Sequence, residues 1–322
     1  MIIQPSGING ILNVFKPPGM TSHDVINYLR RTLKEKKAGH TGTLDPNVAG
    51  VLVVCLGKAT RVIEYLDDNV KCYRAEITFG SSTDTQDGYG QVLKTNNASG
   101  ISWQEAEKAL LAVKGLQQQL PPMVSAVKHK GRKLYEIARE GLEVERRPRT
   151  IEVFDIKMIK HWRFGTPNPS LLFDITCSRG TYVRTICHDL GESLGLGAYM
   201  SFLARTGSGQ FHLDDSLLLE EIVSLYEQGQ LQTKLIPIDQ VLPFEEVWVH
   251  DDTVKSIQHG NLVYEPGVLQ QPAELRENQH VKLMTSKAGC LAVARVSVRQ
   301  NDKAQSLNSQ NGLVFQPVKV FC

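Results

Sequence analysis

Tyr73-Arg74-Ala75-Glu76-Ile77-Thr78-Phe79 alternates apolar and polar side chains without a break. A period of two predicts a half-buried β-strand. Working outward, Ile151 to Ile159 and Ser170 to Cys177 read as two more strands that pair antiparallel, and Val51 to Leu56 as a buried apolar one. Helical signals stand between them. Ser102 and Glu105 form a capping box ahead of a helix through Val113. Ser22 reads as an N-cap, with Val25, Ile26, Leu29 and Leu33 at helical spacing behind it. Thr181 to Leu194 and Ser216 to Glu227 read as helices, and Leu134 to Glu140 as a short one stopped by Gly141. Strands and helices are interspersed without a strict βαβ rhythm. The expected class is therefore α+β, a mixed, largely antiparallel sheet flanked by helices.

The N-terminal side adds a short strand, Gly10 to Phe15, ended by the turn Lys16-Pro17-Pro18-Gly19, and a Gly/Pro-punctuated loop from Gly39 to Asn47. Toward the other end the character changes near residue 244. Short strands such as His280 to Met284 and Cys290 to Val298 follow, with one helix-like stretch from Asp252 to His259. Two domains are expected, 1–244 and a small β-barrel-like 245–322. Gln300 to Gly312 is polar and reads as a mobile loop.

Composition narrows the function classes. The 322 residues hold no apolar run near the roughly 18 needed to span a bilayer, and the opening residues do not read as a signal peptide. The 6 cysteines form no CxxC pair and no metal-ligand spacing with His, which predicts free thiols in a reducing cytoplasm and no metal. Net charge is only +2, yet Arg30 to Lys37 and Lys128 to Arg149 are each net +4. Two such stretches on one face would track phosphates; apart, they are solvated surfaces. Thr83 to Lys94, tested as a calcium loop, lacks a carboxylate at either end and fails. No P-loop, GxGxxG, HExxH or GxSxG signature occurs.

Two segments concentrate chemistry. In Gly39-His40-Thr41-Gly42-Thr43-Leu44-Asp45-Pro46, two glycines let backbone pass close to a ligand, and Asp45 before proline is held extended. A lone Asp in such a loop is usually a turn residue, but here His40, Thr41 and Asp45 crowd a loop just before a buried strand. In Ser178-Arg179-Gly180-Thr181-Tyr182-Val183-Arg184 a helix opens with Tyr182 and Arg184 in its first turn, an aromatic face beside a cation able to pair a carboxylate or phosphate.

Taken together with Asn13 to Ser22, Lys71 to Arg74, Ser82 to Gly90 and Pro121 to Arg139, these segments resemble, in order and spacing from residue 10 to about 210, the TruB family of bacterial tRNA pseudouridine-55 synthases. The resemblance is weaker after residue 245, where the placement is similar to the family's PUA domain, an RNA-binding β-barrel. It implies an isomerase acting on uridine 55 in the TΨC stem-loop of tRNA, working as a cytoplasmic monomer with no cofactor, no metal and no membrane. It implies Asp45 as the catalytic carboxylate, Arg184 as its partner, and Tyr73 as the ring that stacks on the base. His40, Tyr182 and Leu203 would line the flipped uridine and its neighbours, and Lys16 would be structural or phosphate-facing. Attack on the sugar and a glycal route both remain open for Asp45. A non-catalytic RNA-binding protein and a small-molecule nucleoside glycosidase are the rival readings.

Overall fold

The computed structural model describes residues 7–66, 70–298 and 312–321. Residues 1–6 and 300–311, which carry most of the leader and mobile-loop expectations, lie outside them. Among the described residues a nine-stranded sheet is built from β1 (Gly10–Lys16), β2 (Ala38–Thr41), β3 (Ala49–Leu56), β4 (Lys71–Phe79), β5 (Gly115–Gln119), β6 (Arg149–Trp162), β7 (Ser170–Cys177), β8 (Ala198–Ser208) and β9 (Phe211–His212). Its order is β1-β3-β8-β4-β7-β6-β5, with β2 on β3 and β9 on β8. Every pairing is antiparallel except β3 with β8. The mixed, largely antiparallel α+β fold read from the sequence is the one observed.

Four helices cover this sheet: α1 (Ser22–Thr32), α2 (Trp103–Leu111), α3 (Val183–Ser193) and α4 (Leu219–Glu227). α2 and α3 lay Ala106, Leu110, Val183, Ile186 and Leu190 onto Ala75, Ile77, Phe79, Phe173 and Ile175. α1 and α4 place Val25, Ile26, Leu29 and Ile222 on Leu12, Val14, Leu52 and Val54. The opposite faces of β1 and β3, through Ile11, Val51, Val53 and Cys55, meet Val293 from the second sheet and Phe321 just after its last strand. A strand covered on both faces has no polar alternation, which is why Val51 to Leu56 is a continuous apolar run.

Several local readings move. The N-cap of α1 is Thr21, not Ser22. Thr21 Oγ1 accepts from the Asp24 amide at 3.0 Å and Asp24 Oδ2 accepts from the Thr21 amide at 2.9 Å. A hydroxyl one residue earlier meets an N3 carboxylate and closes a capping box that Ser22 lacks. α3 starts at Val183 with Tyr182 as its cap, and α4 starts at Leu219. The expected loop at Gly39 is instead the end of β2, whose four residues are too few to show a period. β8, central in the sheet, was not foreseen as a strand.

The second sheet has six strands: β10 (Glu245–Val249), β11 (Val263–Tyr264), β12 (Val268–Gln270), β13 (His280–Thr285), β14 (Gly289–Val298) and β15 (Leu313–Val320). Their order is β11-β15-β14-β13-β10-β12, a nearly closed, barrel-like sheet around Val247, Val281, Leu283, Ala292, Ala294 and Phe315. It is consistent with a PUA-like domain. Among the described residues no helix is long and apolar enough to cross a membrane.

Burial pushes the thiols of Cys55, Cys177 and Cys290 from 9.0 up to about 12, and raises Cys187 likewise. A raised folded value means the fold keeps a proton that the unfolded chain has lost. That stability is complete below pH 9 and drains away as pH climbs toward 12. Lys16, lowered by burial from 10.5 to about 8, works in the opposite sense between those values, one group against four. The melting temperature under reducing conditions should therefore fall between about pH 9 and 10.5. A flat or rising profile would show that the thiols are not desolvated in this way.

Candidate active site

A cleft of about 510 Å³ opens beside the loop that follows β2. Gly42, at φ 76°, turns the chain out of β2, and the loop that carries Asp45 is fastened on both sides. On one side Ser22 Oγ accepts from the Leu44 amide at 2.9 Å and donates to the Leu44 carbonyl at 3.3 Å. On the other, Lys16 Nζ donates to the carbonyls of Pro17 and Pro46, both at 2.9 Å, and to that of Met20. Lys16 is 0% exposed. Its three donors are spent on three carbonyls and it does not line the cleft, which fits the structural alternative for Lys16 and not the phosphate-facing one.

The facing wall is the start of α3. Arg184, with a side chain 4% exposed, sends Nη2 to Asp45 Oδ2 at 3.4 Å and Nη1 to Asp87 Oδ2 at 3.5 Å. Nη2 also donates to the Val124 carbonyl. Its guanidinium carbon lies 5.7 Å from the centre of the Tyr182 ring. Three acceptors thus face Nη1 and Nη2 of the buried cation, while its Nε has no hydrogen-bond partner. Asp87 is itself held, its Oδ1 accepting from Thr85 Oγ1 at 2.7 Å and from the Tyr89 amide at 3.0 Å. The loop that failed as a calcium site therefore supplies a second carboxylate to Arg184. Asp45, by contrast, keeps 43% of its side chain exposed.

The floor comes from β4 and β8. Tyr73 and Arg205 are register partners, and the Arg205 charge acts on the Tyr73 hydroxyl. Arg205, 1% exposed, donates from Nε to the Val51 carbonyl at 2.7 Å and from Nη2 to Gly42 at 3.1 Å. Lys71, two residues before Tyr73, donates to Ser208 Oγ at 2.9 Å. Burial pushes the Tyr73 hydroxyl above its ordinary 10.0, with Arg205 pulling against it. The approach of β3 to β8 here is close. A Cβ on Gly50, at φ 117°, would stand 2.1 Å from the Arg205 carbonyl oxygen.

Asp45, Tyr73, Tyr182, Arg184 and Leu203, far apart in the chain, all line this one cleft. His40 does not; it is half-buried on β2 opposite Val54. Lys71 and Arg205 were not foreseen. The period of β4 puts Lys71 on the face of Tyr73, a usable signal, whereas nothing around Arg205 marks it. Arg149 and Arg179, from the second basic stretch and the Ser178 to Arg184 segment, stand in the lining as well. Among the described residues no group of three or more His, Cys, Asp or Glu is placed to hold a metal ion.

The family model described as TruB family pseudouridylate synthase (N terminal domain) matches residues 30–183, and the one described as tRNA pseudouridylate synthase B C-terminal domain matches residues 184–245. The chain belongs to the TruB family. A tRNA pseudouridine synthase B of Pelotomaculum thermopropionicum is 46% identical over 314 residues, 97% of each chain. Its namesake from Bacillus subtilis is 43% identical over 288 residues, 89% of this chain and 92% of that one. A solved H/ACA ribonucleoprotein bound to a substrate RNA containing 2'-deoxyuridine includes a chain that superposes with TM-score 0.70 and 27% identity, covering 97% of this chain and 85% of that chain. The motif resemblance and the pseudouridine synthase fold hold; the second sheet lies beyond both TruB matches.

Ser22→Ala removes both bonds to Leu44 and leaves a buried amide without its acceptor. Stability should drop by about 1–3 kcal/mol in a urea titration. An unchanged midpoint would mean that the loop is not held from α1.

Proposed function

We propose that this cleft isomerises uridine 55 in the TΨC loop of tRNA to pseudouridine, with Asp45 acting at the ribose. The observation that carries the reading is the asymmetry of Asp45, which is tied on one side to the buried Arg184 and open on the other to a cleft bordered by Tyr73 and Tyr182. In the reaction the C1′–N1 bond breaks, the uracil turns, and C5 bonds to C1′; C5 then loses its proton and N1 gains one. Asp45 either adds to C1′ or removes a ribose proton to give a glycal, and in both routes its negative charge faces a sugar with oxocarbenium character. Hydrolytic glycosidases commonly use two carboxylates, one of them an acid for the leaving group. Here the uracil is retained and leaves as an anion above a floor that carries Arg205 and Lys71.

The target base is stacked within its loop and has to be flipped, at a cost of a few kcal/mol. Stacking on Tyr73 and Tyr182 returns about 1–3 kcal/mol per base. Arg149 and Arg179 on the cleft wall meet phosphates. The phenol of Tyr73 keeps its proton near neutrality, so it enters as a stacking ring and proton relay rather than as a standing phenolate. Leu203 supplies an apolar wall, and His40, off the cleft, is assigned to the RNA beside the flipped nucleotide. Residues 245–322 form a PUA-like RNA-binding domain appended to a catalytic domain of 1–244. We assign the activity to a cytoplasmic monomer.

Asp45→Asn should bind tRNA within about threefold of the wild type and make no pseudouridine in a carbodiimide primer-extension assay. Appreciable turnover by a clean preparation would refute the assignment. Arg184→Lys should lose roughly 100-fold or more in single-turnover rate, because one ammonium cannot span Asp45, Asp87 and the Val124 carbonyl together. An unaltered rate would remove Arg184 from the machinery.

A further inference from the structure

The last residue of β5 is a glutamine buried to 4% exposure. Gln119 Oε1 accepts from the Tyr182 amide at 2.8 Å, and Gln119 Nε2 donates to the Tyr182 carbonyl at 3.0 Å. A side-chain amide here satisfies both polar backbone groups of one residue, the exchange that a neighbouring strand would otherwise make. Tyr182 is extended at φ −98°, ψ 102°, and caps α3 without a side-chain hydrogen bond of its own. Its carbonyl already accepts from Thr185 and Ile186, both at 3.1 Å, which start the helix. The fixed point of the α3 N-terminus is therefore set from outside, by Gln119.

Two functional side chains swing from that point, the Tyr182 ring and, two residues on, the Arg184 guanidinium. The chain leaving Gln119 passes Pro121-Pro122 and presents the Val124 carbonyl to Arg184 Nη2. Ser125 and Ala126 then reach the cleft wall. On the other side Gln119 pairs in register with Arg149, also a cleft residue. Gln119 itself does not line the cleft.

We propose that Gln119 is a positioning residue, its amide locking the Tyr182 backbone so that the Tyr182 ring and Arg184 hold their geometry against Asp45. The inference rests on the functional reading above. It requires Gln119 to act more on the rate of the chemical step than on RNA affinity, since it meets no substrate itself and the Tyr182 stack is one RNA contact among several. A small misplacement of a group beside the reacting centre costs up to about 100-fold in rate.

The test compares full-length wild type with Gln119→Met, which keeps length and loses both bonds, and Gln119→Asn, which keeps the amide but is one methylene short. Gln117→Met, at a position on the same strand as Gln119, loses a bond to the Val113 carbonyl before that strand and is the control. Three quantities are read: hydrogen–deuterium exchange of the peptide carrying Tyr182, single-turnover pseudouridine formation on unmodified tRNA, and tRNA Kd. Both Gln119 variants should exchange faster at Tyr182 and lose roughly 10- to 100-fold in rate with Kd within about threefold, while Gln117→Met matches wild type. If Gln119→Met does not fold, Gln119→Asn carries the comparison. Unchanged exchange overturns the proposal; so does faster exchange at an unaltered rate, an equal loss in rate and affinity, or the same defects in Gln117→Met. Should wild type make no pseudouridine at all, the functional reading falls separately, and the Tyr182 exchange still decides whether the amide locks that backbone.

Discussion

A guanidinium removed from water needs acceptors, and around the two terminal nitrogens of Arg184 that demand organises the cleft. Asp45, Asp87 and the Val124 carbonyl come from three separate stretches of chain and converge on one group. Deleting an acceptor of a buried charge is destabilising, because the charge is left less well met. Each loop is therefore placed by the same cation. The carboxylates are not equivalent: Asp87 is 14% exposed and already bonded within its own loop, while Asp45 is 43% exposed. Only Asp45 has an open side on which to meet a ligand.

Beneath this pair the sheet supplies rigidity. β1 and β3 are packed on both faces, by α1 and α4 on one and by the second sheet on the other. From that slab Lys16 and Ser22 reach up to hold Pro46 and Leu44, the residues on either side of Asp45. The parallel pairing of β3 with β8 brings Gly50 against Arg205 and so places a buried cation under Tyr73. Fold and site share the same few contacts, which is how a loop rich in glycine keeps a reacting group still.

What the sequence made legible follows from periodicity. β4 alternates cleanly, and the β6–β7 pair was readable for the same reason. β8 was not, because bulges between Met200 and Phe202 and between Arg205 and Gly207 reset which face each side chain takes. Arg205 sits at one of those resets, so nothing local marked it as buried. β5, with Gln117, Gln118 and Gln119 at the sheet edge, carries too little apolar pattern to announce a strand. Asp45, Tyr73, Tyr182 and Arg184 were found through motif order, whereas Lys16 was given a phosphate-facing option. A lysine at a strand end is ordinarily solvated, and only the fold shows three carbonyls closing over it.

The central claim is that one carboxylate, paired to a buried arginine and open to a two-tyrosine cleft, rearranges a uridine without releasing its base. The most direct measurement maps pseudouridine across unmodified tRNA transcripts before and after incubation with the purified chain, with no cofactor added and free uracil assayed in the same tube. The account predicts a single new pseudouridine, at position 55, and no uracil. Release of uracil, or a transcript unchanged by stoichiometric protein, would contradict it.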